Sequence, residues 1–289
     1  MAYTTIDDPS AYFQIPLWTG NGSNRSITFD GNSDMQPDWV WGKNRGNDDN
    51  DYLMDSVRGA TKFLTSNNNT AEGTSSTLLT SFNSDGFSLG TSAGLNASGV
   101  TAVGWCWKAS GSTASNTDGS TTSTVSANTT AGFSIVSYTG AGATTYGHGL
   151  GATPNVIIIK KRTSDTGNNN WFLYHDKVIT AGASNKSFMT LNETGALTSN
   201  GTATTFTSVS STTFGVGTDD IISESSHTFI AYCFAEKKGY SKFGSYVGNG
   251  NADGTFVYTG FKPAWVMVKD SSNAGYNWMM YDNKRLGYN

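Results

Sequence analysis

The sequence predicts an all-β protein made of tandem antiparallel β-sandwich modules, and three observations point there. A set of short motifs recurs in the same order along the chain. The composition favours pleated strands over helices. Turn residues divide the chain into short apolar runs.

The repeat comes first, because internal similarity decides how everything else is divided. Trp18-Thr19-Gly20-Asn21-Gly22 opens one unit, Tyr138-Thr139-Gly140-Ala141-Gly142 a second and Tyr246-Val247-Gly248-Asn249-Gly250 a third. Downstream of each lies a Pro, an apolar run and a Lys: Pro37 to Lys43, Pro154 to Lys160, and Pro263 to Lys269. An aromatic or aliphatic stretch then ends near Asp55, Asp176 and Asp282. The first two units also share their ends, with Gly86-Phe87 matching Thr213-Phe214 and Trp105-Cys106-Trp107 matching Tyr232-Cys233-Phe234. A drift in spacing places insertions of the second unit around residues 179–212.

These marks divide the chain into an N-terminal segment (1–9), module one (10–109), a linker (110–130), module two (131–239) and a partial module three (240–289). The linker reads as flexible, being almost wholly Ser, Thr, Gly, Asn and Ala. About 100 residues suit one two-sheet sandwich. Module three lacks the counterpart of the second half of module one. Either the polypeptide continues, or another chain completes it.

Composition agrees. Charged residues are only 14% of the chain, aromatics 12%, and glycines number 34. Thr, Val, Ile and aromatics fit strands, and Gly, Asn and Ser fit turns. Val156-Ile157-Ile158-Ile159 and Trp265-Val266-Met267-Val268 suit strands with little solvent on either face. Ser134 to Tyr138 and Phe229 to Phe234 alternate and suit strands with one wet face. Asn21-Gly22, Ser84-Asp85-Gly86 and Asp253-Gly254 punctuate them as turns. Helix is expected only as single turns, for instance near Asp55-Ser56-Val57-Arg58.

Several function classes recede. The net charge of -4 offers no broad basic field for nucleic acid or an anionic membrane. No apolar stretch approaches the roughly 20 residues that span a bilayer. The first residues lack a signal-peptide pattern, so a soluble chain not exported by its own signal is expected. Cys106 and Cys233 are too far apart in sequence for a staple framework, and their flanks suit buried free thiols, although a disulfide between them stays open.

The opening Tyr12-Phe13-Gln14 and Trp18-Thr19-Gly20-Asn21-Gly22, with Ile27-Thr28-Phe29, Pro37-Asp38-Trp39-Val40-Trp41, Asp55-Ser56-Val57-Arg58-Gly59 and Asp85-Gly86-Phe87, resembles a repeated module of marine tailed-phage virion structural or fibre-like proteins. The resemblance implies a lectin-type sandwich, concanavalin-, jelly-roll- or SPRY-like. It also implies a place on the phage particle after synthesis in the host cytoplasm, other virion proteins as partners, and a homotrimer by analogy. It brings no catalytic residues. Module two departs from the pattern where Asp-Ser-Val-Arg-Gly becomes Asp176-Lys177-Val178.

Candidate chemistry in the residues is sparse. Asp48, Asp49 and Asp51 offer hard oxygens for Ca²⁺, but without the spacing of an EF-hand they read better as a solvated loop. His148, His175 and His227 lack metal-ligand spacing. His175-Asp176 has no nucleophile elbow to serve. The chain has only four Glu, which argues against a glycosidase pair. An Asp recurring in every module suits a structural bond to the following turn, and Lys43, Lys160 and Lys269 are expected to pair with those Asp, the alternative being snorkelling strand ends. Trp18, Trp41, Trp171 and Trp278 are the candidate ligand-stacking aromatics, against a core reading of the same residues.

The expectation is a non-enzymatic virion protein without cofactor. It would be a fibre or appendage component whose modules attach to a host surface glycan. The alternatives are a capsid decoration or tail adaptor protein of purely structural role, or a glycan depolymerase.

Overall fold

The computed structural model describes residues 4–163 and 169–285. Module one runs through β1 (Phe13–Gln14), β2 (Leu17–Thr19), β3 (Arg25–Ile27), β4 (Trp39–Asn44), β5 (Asp51–Asp55), β6 (Lys62–Thr65), β7 (Gly73–Thr74), β8 (Leu79–Phe82), β9 (Phe87–Leu89), the single-turn α1 (Ala93–Asn96) and β10 (Thr101–Trp107). Module two follows with β11 (Ala114–Asn116), β12 (Ser123–Asn128), β13 (Phe133–Thr139), β14 (Thr144–Gly147), β15 (Val156–Lys161), β16 (Phe172–His175), β17 (Met189–Thr190), β18 (Phe206–Val209), β19 (Thr213–Val216), α2 (Asp220–Ser223) and β20 (Thr228–Phe234). Module three contributes the hairpin β21 (Trp265–Val268) and β22 (Met279–Asp282). The expected all-β antiparallel sandwich is what the chain forms. The Asp55 to Arg58 segment is a turn, and the helical turns stand at α1, α2 and the 3-10 segment Pro9–Ala11.

Each full module is a large sheet backed by a three-stranded one. In module one the large sheet runs β1-β10-β4-β5-β6-β7, with β2 also on β10, and its partner is β3-β9-β8. In module two the order is β11-β12-β13-β20-β15-β16-β17, backed by β14-β19-β18. The central order is the same in both. The strand that is continuous as β13 is split in module one around Pro16, which has no N–H for the ladder; its carbonyl still accepts from Gly104 N at 3.1 Å.

The sandwiched space of module one is filled by Trp18, Val40, Met54, Phe87 and Cys106, and that of module two by Tyr138, Ile157, Tyr174, Phe214 and Cys233. A further core lies between modules. Trp39, Trp41, Trp105 and Trp107 of the first large sheet meet Phe133, Ile135, Ile158 and Tyr232 of the second, and Trp265, Met267, Trp278 and Met280 of the hairpin pack on the same core. Trp39 stacks on Tyr232 at 4.3 Å and 20°. The large sheets are therefore buried on both faces. This corrects the expectation of a wet face on β13 and β20, where Ser134 and Phe229 are fully buried. Alternation in those strands reflects two different cores, not core and solvent.

Two other expectations change. Residues 110–130 are no free linker: β11 and β12 extend the second large sheet, with Val125 opposite Val136. Small polar residues serve as strand there because Ser126 and Ser123 are buried and bonded, Ser123 Oγ to the Gly147 carbonyl at 2.8 Å. In the third copy, β21 does not have the two buried faces its apolar run predicts, since Val266 is 39% exposed. Its counterparts Val40 and Ile157 are wholly buried.

Candidate functional site at the module junctions

The most elaborate polar chemistry in the molecule sits where modules meet. In β5 the strand ends at Asp55, and the chain turns so that Arg58 N donates to Asp55 Oδ1 at 2.8 Å. Arg58 Nε donates to Asp55 Oδ2, and one terminal nitrogen reaches the Leu53 carbonyl at 2.8 Å. The expected bond from a strand-end Asp to its turn is thus present, with the Arg closing it into a clasp. Both side chains are fully buried. The clasp is completed from module two: Tyr232 Oη donates to Asp55 Oδ2 at 2.7 Å.

Module three repeats the arrangement against module one. Arg285 N donates to Asp282 Oδ1 at 2.8 Å, its Nε to Asp282 Oδ2 at 2.6 Å and a terminal nitrogen to the Met280 carbonyl at 2.7 Å. The aromatic completing it is Trp105, the counterpart of Tyr232; its indole N–H donates to Asp282 Oδ2 at 3.1 Å, and the Arg285 guanidinium lies 5.1 Å from its ring. The surrounding packing repeats as well. Trp39 meets Phe133 and Phe234, while Trp265 meets Phe13 and Trp107.

A second tie runs in the opposite sense. Trp171 Nε1 of module two donates to the Thr65 carbonyl of module one at 2.9 Å, and Trp278 Nε1 of module three to the Thr190 carbonyl of module two at 2.9 Å. Thr65 and Thr190 hold equivalent places on β6 and β17. Module one clasps module two, and module three clasps module one. Module two is tied back to module one, and module three to module two. These relations are cyclic, with three positions around one core.

Electrostatics reinforce the first junction. Glu72 of module one receives both Nε and a terminal nitrogen of Arg162 from module two, at 2.8 and 3.1 Å, with Arg58 3.4 Å away. Burial pushes the Glu72 carboxyl up, but Arg162 and Arg58 outweigh it and hold the group below its ordinary value. Burial likewise works against the Arg58 charge, and Asp55, Tyr232 and Glu72 more than restore it. Burial raises the Tyr232 hydroxyl well above its ordinary range, keeping it a donor.

Among the described residues module two has no such clasp, for a reason of register. Asp55 stands opposite Trp39 and Asp282 opposite Trp265, but the residue opposite Val156 is His175. Asp176 lies one place further, where its N–H bonds the Asn155 carbonyl as Ser56 N does to Asp38 and Asn283 N to Ala264. The Asp176 mark is therefore one residue out of step with the other two. Its Oδ2 takes Asn155 Nδ2 and Lys177 Nζ, both at 2.8 Å.

The lysines behave otherwise than expected. Lys43 pairs with Asp51 at 2.5 Å, Lys160 donates to the Asn169 carbonyl at 2.7 Å, and Lys269 bonds the Tyr276 carbonyl. None reaches the strand-end Asp. Lys43 stands opposite Asp51, four residues or about 13 Å up the partner strand from Asp55.

The candidate ligand aromatics are corrected by their burial. Trp171 is fully enclosed, Trp41 and Trp18 nearly so, and Trp278 is partly buried with its N–H committed to Thr190. Their faces are spent on packing. Asp51 is committed to Lys43, and Asp49 accepts from Asn50 N and Tyr52 Oη. Among the described residues, no group of three or more His, Cys, Asp or Glu side chains converges on a point that could hold a metal ion. Both cysteines are free and buried. Sequence reading missed Arg285, Glu72 and Arg162. The first was signalled by the Asp282-x-x-Arg285 spacing, the same as Asp55-x-x-Arg58.

No curated protein and no solved structure matches the chain. A protein family described as a domain of unknown function, DUF7483, matches residues 8–289. The match spans both full modules and the hairpin, so the chain belongs to the DUF7483 family.

Proposed function

We propose that the protein is a structural component of a bacteriophage virion, a fibre or appendage subunit in which the repeated sandwiches serve as rigid building blocks. The observation that supports this reading is the cyclic packing of modules around one aromatic core. Its recurring residues are spent on holding modules together, and of the tryptophans offered to a ligand, Trp41, Trp171 and Trp278 pack in or against that core while Trp18 fills the interior of module one. The resemblance of module one to tailed-phage virion proteins gives the reading its biological setting. Attachment to a host surface glycan, in this reading, falls to exposed loop residues such as 45–48 and not to the tryptophans.

The test is composition and location. Peptide mass mapping of purified phage particles that encode the chain is expected to find it, and a virion map is expected to place it on the tail or a surface appendage. Its absence from particles overturns the proposal. Placement on the capsid lattice would instead support the decoration or adaptor role, which the burial of the candidate ligand aromatics also favours. A glycan array with the purified protein checks attachment separately, and no binding removes that part alone.

A further inference from the structure

The third position of the ring carries a hairpin whose surfaces are covered in the other two positions and open here. β4 and β15 each lie between two neighbours, β10 and β5 or β20 and β16, whereas among the described residues β21 pairs with β22 alone. The outer face of the hairpin shows the same gap. Val266, Met279 and Tyr281 are 39%, 50% and 43% exposed. Their counterparts Ile157, Phe172 and Tyr174 in module two are buried under β14-β19-β18. Among the described residues, every exposed large hydrophobic apart from Leu17 lies between Tyr246 and Tyr281. An apolar surface so concentrated beside an unpaired strand edge marks an interaction site.

A glycine identifies what belongs there. Gly20 and Gly140 lie flat against a carbonyl: a Cβ on Gly20 would sit 2.1 Å from the oxygen of Ala97, and one on Gly140 2.0 Å from that of Glu224. Ala97 and Glu224 are the residues that end α1 and α2, just before β10 and β20. Gly20 N and Gly140 N then bond the Val100 and His227 carbonyls at 2.8 Å. Gly248 is the third copy of this glycine, and Gly250 keeps the left-handed turn (φ 66°) that Gly22 and Gly142 adopt (68° and 70°). Yet a Cβ on Gly248 would meet nothing within 4 Å. The residue fits a wall that none of the described residues supplies.

We infer that the free edge of β21, together with the open space over Gly248, is an acceptor site for a third copy of the closing segment, a helical turn followed by an antiparallel strand of the α1-β10 or α2-β20 kind. The strand extends the hairpin by main-chain hydrogen bonds. Its inward aromatic, the counterpart of Trp105 and Tyr232, enters the shared core at the seam between modules two and three, the one seam without a clasp among the described residues. There it meets His175 of module two, which stands where the other modules carry the clasp Asp. This inference does not depend on the virion reading.

The test uses the full chain extended after Asn289 by a flexible Gly/Ser linker and a copy of Ser92–Ala109 with its cysteine replaced by Ser. Tethering makes docking intramolecular at an effective concentration of about millimolar. Amide hydrogen exchange is read by mass spectrometry at residues 265–268, with the amides of β13 and β20 as internal control. Exchange at 265–268 is expected to slow at least tenfold against the unextended chain, and Gly248→Val in the extended chain is expected to abolish that slowing while leaving β13 and β20 unchanged. Equal exchange at 265–268 with and without the extension overturns the inference. So does equal protection by an extension of scrambled sequence, or protection that survives Gly248→Val.

Discussion

Replacing Arg58 by Ala isolates the energetics of the first junction. The Arg58 and Asp55 side chains are wholly buried, and Glu72 lies 3.4 Å from the guanidinium. Truncation leaves the Asp55 carboxylate with the Tyr232 hydroxyl and its own turn amide, in a site without solvent. Removing one partner of a buried ion pair costs about 3–5 kcal/mol, chiefly because the other charge is stranded. For a chain of this length that corresponds to a fall in melting temperature of roughly 5–8 °C. The assay is urea unfolding followed by Trp fluorescence, since Trp39 and Trp171 sit at this junction and report its opening. A second variant, Asp55→Leu with Arg58→Met, removes both charges and is expected to recover much of the loss, because apolar replacement of a whole buried pair is often neutral. Arg285→Ala should cost less, since its side chain is 25% exposed. A loss below about 1 kcal/mol for Arg58→Ala, the range of an exposed pair, would refute the buried-clasp account. So would a double variant no more stable than the single one.

Other outcomes follow from the same geometry. Gly20→Ala and Gly140→Ala force a methyl against a backbone oxygen 2.1 or 2.0 Å away. Each should destabilise by about 1–3 kcal/mol, whereas Gly248→Ala in the unextended chain should stay within about 0.5 kcal/mol; thermal melts of the three decide it. The lowered Glu72 carboxyl contributes stability that is present above its ordinary value of 4.5 and is lost as pH falls through the folded value. Stability of the parent chain should therefore drop below about pH 4.5 more steeply than that of Glu72→Gln, measured by urea midpoints across pH 3–7. Burial pushes the Cys233 thiol up to about 12 and the Cys106 thiol well above its ordinary range. A thiol reagent at pH 8 should find neither in the native protein and both in denaturant. Labelling of the native protein at the denatured rate would contradict their burial.

The repeat, the strand runs and the turns were legible in the sequence because each is a local pattern. Gly22 and Gly86 both take the left-handed backbone that their turns require. The i, i+2 pairing of Trp39 with Trp41 told correctly that they share a sheet face, but nothing local says whether that face meets solvent, a sister sheet or another module. The inter-module core was thereby hidden, and with it the reason that Ser134 and Phe229 are both buried. Residues 110–130 misled because small polar residues are shared by loops and by strands whose hydroxyls find carbonyls, as Ser123 does. Asp176 misled because motif matching tolerates a slip of one, while a strand register does not: one place along a strand is the other face of the sheet.

The seams between modules are heterologous, each using one surface of a module against a different surface of the next. Such an interface either closes into a ring or propagates. Here closure is visible in module three, which touches module one through Asp282 and Trp105 and module two through Trp278 and Thr190. Three modules therefore complete the circuit. The seams are nevertheless not interchangeable. Module one carries Asp51 where modules two and three carry Trp171 and Trp278, and module two carries His175 where modules one and three carry Asp55 and Asp282. If every seam had the same chemistry, a module could dock in any of the three positions, and the order along the chain would have to be imposed by the connections alone. A wrong order would part Glu72 from Arg162 and leave the buried Asp55 without the Tyr232 hydroxyl, and breaking such buried contacts costs several kcal/mol. The differences between copies thus specify the order of modules around the core, while the shared residues supply its packing.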